Sequence, residues 1–197
     1  MVHLSETFTE EVPGILSAQL FSEKLCRKLI DEANQLNQWE PALIHGGHEG
    51  EHVRWVEDTD VRQARITSLN NLPLLSKEFN TKFEQCMLPS VNKHWKVNLK
   101  NHVGGQLISY TQGGHYEIHA DSGPDLEDRF FSVICYLNDD FTGGSTSFPT
   151  LNYSVIPRCG KVVIFPSEYL HQAESIMSGM KYIIVTWIIG MPPVDWI

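Results

Sequence analysis

The chain reads as a mainly β fold with flanking helices, and three observations carry that reading. From about Gln106 onward the sequence breaks into roughly eight short runs of strand character, at 106–111, 115–120, 130–138, 145–148, 153–157, 161–166, 169–174 and 180–189. Glycines punctuate these runs: Gly143-Gly144 reads as a tight turn, and Gly160 and Gly179 separate later runs. Many short strands at regular spacing predict a sandwich or barrel. Ahead of them lie two stretches of helical periodicity, which predict helices bracing the outside of the β structure.

The elements follow in order. Residues 7–20 predict an entry strand with Val12-Pro13-Gly14-Ile15-Leu16 at its centre. Ser22 is a candidate N-cap, and Glu23 stands in the first turn, where the helix dipole favours an acid. Leu25, Leu29, Ala33 and Leu36 recur at helical spacing, which predicts an amphipathic helix to about Asn37. Residues 40–60 are polar and glycine-rich and predict a loop. Trp55 to Ser68 alternates enough for one or two strands and carries Arg62 and Arg65. Leu75, Phe79 and Phe83, with Met87 following, predict a second helix that ends or bends at Pro89. Trp95 to Leu99 leads into the β region. With no linker, repeat or low-complexity stretch, the expectation is a single domain over 1–197: support over about 1–100 and a β core over about 101–190.

Composition narrows the function. A chain of 197 residues can bury a sizeable core, and 42% hydrophobic residues is ordinary for a globular protein. A net charge of −9 speaks against a nucleic-acid partner, which calls for a basic stripe. No run approaches the roughly 18 apolar residues of a membrane span, and the N-terminus lacks a basic, signal-like segment. Cys26, Cys86, Cys135 and Cys159 have no Cys-x-x-Cys spacing, so free thiols in a reduced cytosol are the expectation.

The chemistry concentrates at His119-Ala120-Asp121 and His171. On a strand, His119 and Asp121 point the same way because side chains alternate faces. His171 follows the apolar run Val162-Val163-Ile164-Phe165. Two imidazoles and one carboxylate, with positions left open, form the ligand set of non-haem Fe(II) oxygenases. Lys181 heads the run Lys181-Tyr182-Ile183-Ile184-Val185-Thr186-Trp187, and its alternate neighbours Ile183, Val185 and Trp187 are apolar, so it points into the core. A lysine there needs an anion. A second histidine pattern, His48-Glu49-Gly50-Glu51-His52, matches the zinc-protease motif in form. That motif works only on a helix, and Gly46, Gly47 and Gly50 argue for a loop.

Residues 107–189 resemble the catalytic core of the prolyl 4-hydroxylase-like branch of the Fe(II)/2-oxoglutarate-dependent dioxygenases. The matching segments are Ser109 to Asp121, Arg129 through Tyr136-Leu137-Asn138, Gly143 to Pro149, and His171 to Trp187 with Gly179-x-Lys181. The resemblance implies a double-stranded β-helix, a cupin-like jelly roll, with iron on His119, Asp121 and His171. It implies that Lys181 anchors the far carboxylate of 2-oxoglutarate, assisted by the hydroxyls of Tyr110 and Tyr136, either of which is alternatively plain core. Dioxygen is then the co-substrate and ascorbate an accessory reductant. The outcome is hydroxylation of an amino acid, a prolyl or peptidyl residue or a small metabolite. The related halogenases lack the carboxylate ligand, which is present here as Asp121. A threonine that some members place beside the cofactor aligns with Val185. Arg129 stands where the family often has an arginine near the substrate, or makes a structural ion pair. Segment 45–65, with Arg62 or Arg65 on the substrate, is expected to be either a lid or a plain surface loop. The competing reading is a non-catalytic jelly-roll module that keeps the triad as a structural metal site.

Overall fold

The computed structural model of the protein describes residues 5–36, 38–46 and 54–190. Strands β1 (Ser5–Val12) and β2 (Ile15–Gln19) form a hairpin where the sequence pattern predicts one entry strand. The reason lies at Pro13-Gly14. Proline lacks the N–H a ladder needs, and Gly14 takes a φ of +78°, so the run reverses there and Val12 pairs with Ile15. Helix α1 (Glu23–Leu36) starts as expected: Ser22 Oγ accepts from the Leu25 N–H at 3.3 Å.

Short strands β3 (Glu40–Pro41), β4 (Ile44–Gly46), β5 (Arg54–Val56), β6 (Arg62–Gln63) and β7 (Arg65–Ser68) follow. The stretch expected to be a loop therefore contains a β4–β5 ribbon, and the one or two strands expected over 55–68 are three. His48 to His52 lies outside the described residues. Helices α2 (Pro73–Lys82) and α3 (Leu88–Trp95) are joined by a π-turn over Phe83–Met87, with the Leu88 N–H donating to the Phe83 carbonyl. The expected end or bend appears just ahead of Pro89 as this π-turn, and the chain stays helical through the proline. Its ring would strike the carbonyl four residues back in a regular α-helix, and the wider π-turn moves that carbonyl aside. The Glu32 carboxylate accepts from the N–H groups of Leu74 and Leu75, both at 2.9 Å, and so ties the start of α2 to α1.

The remaining strands are β8 (Asn101–Tyr110), β9 (His115–His119), β10 (Arg129–Tyr136), β11 (Thr142–Gly143), β12 (Thr146–Phe148), β13 (Tyr153–Val155), β14 (Lys161–Pro166), β15 (His171–Ala173), β16 (Ile176–Ser178) and β17 (Lys181–Ile189). The large sheet runs β1-β2-β14-β10-β17-β8-β7-β3, and the small one β13-β12-β15-β9-β6. Their ladders are antiparallel. This is the expected jelly roll with helices against its larger sheet.

Strand alternation sorts the large sheet's side chains into two cores. Phe131, Val133 and Cys135 of β10 and Tyr182, Ile184 and Ile188 of β17 pack with Leu29 of α1, Phe79 of α2, and Phe83 and Met87 of the π-turn. Ile134, Tyr136, Ile183, Val185 and Trp187 face the other way and meet Phe148 and Ile176 from beneath the small sheet. That second core is incomplete at one end, and the gap is the site. Among the described residues, no helix is long and apolar enough to cross a membrane.

Candidate metal centre and cavity

Three side chains converge in the mouth of the roll. β9 and β15 are neighbours, and their register sets His171 directly opposite His119. Asp121 lies just past the end of β9, held there because its own N–H and that of Ser122 both donate to the Ser167 carbonyl, at 2.8 and 3.2 Å. One ligand atom from each of His119, Asp121 and His171 lies within 4.8 Å of the others. His119 Nε2 is 3.5 Å from Asp121 Oδ1, and His171 Nε2 is 3.6 Å from Oδ2.

The surroundings fix the tautomers. Nδ1 of His119 donates to the Glu117 carbonyl at 2.7 Å, and Nδ1 of His171 to the Tyr169 carbonyl at 2.9 Å. Both Nε2 lone pairs therefore face the Asp121 carboxylate. A backbone partner on the far nitrogen is the usual support of a metal-bound histidine. Burial holds the His171 imidazole below its ordinary pKa, against the pull of Asp121, which favours the neutral, ligating form. Burial would push the Asp121 carboxyl up. The imidazoles of His171 and His119 and the Ser132 hydroxyl outweigh that and hold it well below the usual carboxylate range. Ser132 Oγ donates to Asp121 Oδ2 at 2.6 Å and accepts from Ser167 Oγ at 3.0 Å. The donor set thus fits a divalent metal of the Fe(II) type.

The triad opens onto a cavity of about 310 Å³. Leu43, Trp55, Arg62, Tyr110, Tyr116 and Arg129 are among its lining residues, as are Gln172 and Trp187. The Tyr116 ring stacks on His119, centroids 3.6 Å apart. Arg129 lies over the Trp187 ring at 3.7 Å and donates to the Asp121 backbone carbonyl at 3.3 Å. Its interaction is therefore with that carbonyl and an indole, and among the described residues it forms no ion pair.

Lys181 is fully buried behind the cavity wall, 5.3 Å from the ring centroid of the cavity-lining Tyr110 and 5.5 Å from that of Tyr136. Its Nζ donates to the Gly144 carbonyl at 2.6 Å. Gly144 has a φ of +65°, and a Cβ there would collide with Ile176, so glycine is what brings that carbonyl to the lysine. Burial pulls the Lys181 ammonium down to about 7, against the upward pull of Glu174. A desolvated ammonium with donors to spare suits the carboxylate of 2-oxoglutarate. The Tyr136 hydroxyl is committed to Thr146 Oγ1 at 2.7 Å, a partner the sequence reading missed. Tyr110 lines the cavity; Val185 does too, where the family sometimes has a threonine.

Of the three arginines, the structure brings Arg62 and Arg129 to the cavity and leaves Arg65 outside it. The chain crosses at Ala64 from the small sheet, where Arg62 pairs with Tyr116, to the large one, where Arg65 pairs with Ser109. The exposed Arg65 guanidinium donates to the Trp39 carbonyl at 2.8 Å. Residues 62–63 and 65–68 are therefore sheet strands, and the β4–β5 ribbon brings Trp55 to the cavity wall near Leu43.

Comparison with known proteins agrees with this geometry. Residues 105–189 match the model of the 2OG-Fe(II) oxygenase superfamily. The chain is 23% identical over 181 residues to a PKHD-type hydroxylase of Cupriavidus metallidurans, covering 90% of this chain and 76% of that one. It is 23% identical over 151 residues to a protein of Acanthamoeba polyphaga mimivirus described as a putative prolyl 4-hydroxylase, covering 66% and 62%. Among solved structures, a prolyl-4-hydroxylase from Pseudomonas putida superposes with a TM-score of 0.71 at 18% identity, covering 91% of this chain and 94% of that one. The matched segment spans all three members of the triad in the mouth of the roll, so over that core the chain is similar to the 2OG-Fe(II) oxygenases, and its relatives include prolyl 4-hydroxylase-like proteins.

Proposed function

We propose that the protein hydroxylates a C–H bond of an amino acid, a prolyl or peptidyl residue, or a small metabolite, with Fe(II), 2-oxoglutarate and dioxygen. The observation that carries this reading is the pair of Nδ1-anchored imidazoles converging with Asp121 at a cavity lined by Tyr110, behind whose ring lies the buried ammonium of Lys181. In this reading His119, Asp121 and His171 hold the metal, which when bound supplies the oxidising chemistry. Lys181 binds the far carboxylate of 2-oxoglutarate, with Tyr110 beside it and Tyr136 bracing the pocket through Thr146. Ser132 orients the Asp121 carboxylate, and Arg129 fixes the backbone just behind it. Arg62, Arg129 and the aromatic wall face the acceptor. The non-catalytic alternative is disfavoured, because a structural metal site has no use for a buried lysine beyond it.

The finer assignments belong to the same reading: one catalytic domain, a cytoplasmic setting with free thiols, ascorbate as accessory reductant, and neither nucleic acid nor membrane as partner. The deciding experiment is succinate release from 2-oxoglutarate with Fe(II) and ascorbate present, read together with a mass-spectrometric screen of amino acids and proline-containing peptides for a gain of one oxygen. Absence of both would reject the proposal.

A further inference from the structure

We infer that the acceptor carries a free carboxylate, as a free amino acid or as the C-terminal residue of a short peptide, and that Arg62 and Arg129 hold that carboxylate. The inference rests on the hydroxylase reading and names its substrate class. The two arginines come from different strands and both line the cavity. The Arg62 guanidinium lies over Tyr116 at 4.6 Å. The Arg129 guanidinium lies over Trp187 at 3.7 Å and donates to the Asp121 carbonyl. The Tyr116 ring stacks on His119, so both cations sit on the metal side of the cavity.

Asp121 and Asp128 act on Arg129 only through space, and neither guanidinium meets a carboxylate directly within the described residues. Among the described residues no ion pair forms to either guanidinium. Arg62 donates to the Leu43 carbonyl at 3.0 Å and bonds the Tyr110 hydroxyl, and Arg129 donates to the Asp121 carbonyl at 3.3 Å, so each is met by neutral oxygens. Asp128 beside Arg129 is exposed, and the Asp121 carboxylate is occupied by the two imidazoles and Ser132. Two further donors are buried without acceptors, Arg62 Nε and Trp187 Nε1, and both belong to cavity-lining side chains. Buried donors are normally satisfied, and the half-buried arginines present forks suited to a carboxylate. A carboxylate offers two coplanar, charged acceptor oxygens that match a guanidinium fork, whereas a peptide carbonyl offers one neutral oxygen. The cavity, about 310 Å³, is at the small end of the usual range of about 300–1,000 Å³ and must also admit 2-oxoglutarate. That volume suits one residue entering end-on.

The test uses the iron-loaded protein with 2-oxoglutarate and ascorbate. It is offered the free amino acids, their amides, dipeptides with a free C-terminus, and the same dipeptides as C-terminal amides. The expected result is oxygen gain in carboxylate-bearing compounds and none in their amides, with free amino acids and dipeptide acids separating the two sources. Arg62→Met and Arg129→Met should each raise the acceptor KM by about thirtyfold or more, as truncating one member of a buried charge pair does, with a far smaller rise in KM for 2-oxoglutarate. Arg62→Lys should restore part of the loss. Equal turnover of acids and amides overturns the inference. So does modification of internal residues alone, or succinate release with no carboxylate-bearing compound hydroxylated. No 2-oxoglutarate turnover at all would instead sink the hydroxylase reading beneath it.

Discussion

Replacing Lys181 by Met should make the ligand-free protein more stable and less dependent on pH. Burial holds the Lys181 ammonium at about 7, against an ordinary value of 10.5. Between those values the unfolded chain binds a proton that the folded chain does not, so stability rises with pH across the window and the full cost remains below it. The gap amounts to about 5 kcal/mol at about 1.4 kcal/mol per unit, of which about 2 kcal/mol is recovered between pH 7 and 9. Methionine fills similar space without a charge. Allowing about 1 kcal/mol for the lost bond to the Gly144 carbonyl, Lys181→Met should gain about 3 kcal/mol at pH 7. In a chain of this size that is a rise of roughly 10 °C in Tm. Thermal unfolding of apo wild type and variant at pH 7 and 9 measures it: the wild type should climb and the variant should not. The variant should at the same time lose affinity for 2-oxoglutarate far more than for metal. In the wild type, 2-oxoglutarate binding above pH 7 should take up a proton, visible by calorimetry in buffers of different ionisation enthalpy. A variant no more stable than wild type, with a flat wild-type profile from pH 7 to 9, would refute the idea of an uncompensated buried lysine.

The other expectations concern the triad and the helical support. Asp121→Ala should remove metal binding and turnover together, measured by metal analysis after dialysis and by succinate release; full occupancy with normal turnover would end the iron assignment. Glu32→Ala frees the N–H groups of Leu74 and Leu75 at the start of α2 and should lower stability by about 1 kcal/mol in denaturant titrations, with 2-oxoglutarate affinity unchanged.

The legible parts of the molecule were those where a local rule holds without help from tertiary structure. Strand alternation placed Lys181 inside from its three apolar neighbours alone, and it is fully buried. Histidine and aspartate spacing brought the metal candidates to notice before any partner was known. Three readings were incomplete because they depended on what lay elsewhere. The Pro13-Gly14 pair was read as the middle of a strand, although both residues are turn formers, and the run proves to be two paired strands. Pro89 predicts an end or bend of the second helix, and the irregularity falls in the π-turn just ahead of it, which the local pattern does not place. Arg62 and Arg65 were treated as equivalent, yet a crossing between sheets separates them. Ser132 and Thr146 went unassigned for a related reason. Alternation puts Ser132 on the face of Ile134 and Tyr136, but only the fold brings Asp121 against it.

The positive groups of the cavity suggest why the fold spends stability here. Lys181 lies buried beside the rings of Tyr110 and Tyr136, the triad lies in the mouth, and Arg62 and Arg129 lie on the cavity wall. The triad's single carboxylate serves two imidazoles, so without ligands the site holds cations that its own side chains do not neutralise. Apolar neighbours could have replaced Lys181 at a gain in stability, as the Met variant is expected to show, so its retention fits a role in binding rather than packing. A dicarboxylate that reaches Lys181 and the metal, followed by an acceptor whose carboxylate meets the arginines, completes the electrostatics from the inside outward. Under that arrangement the acceptor's charge is read at the wall, next to the ring that stacks on His119, and selectivity is exercised within a few ångströms of the metal ligands rather than at a distant docking surface.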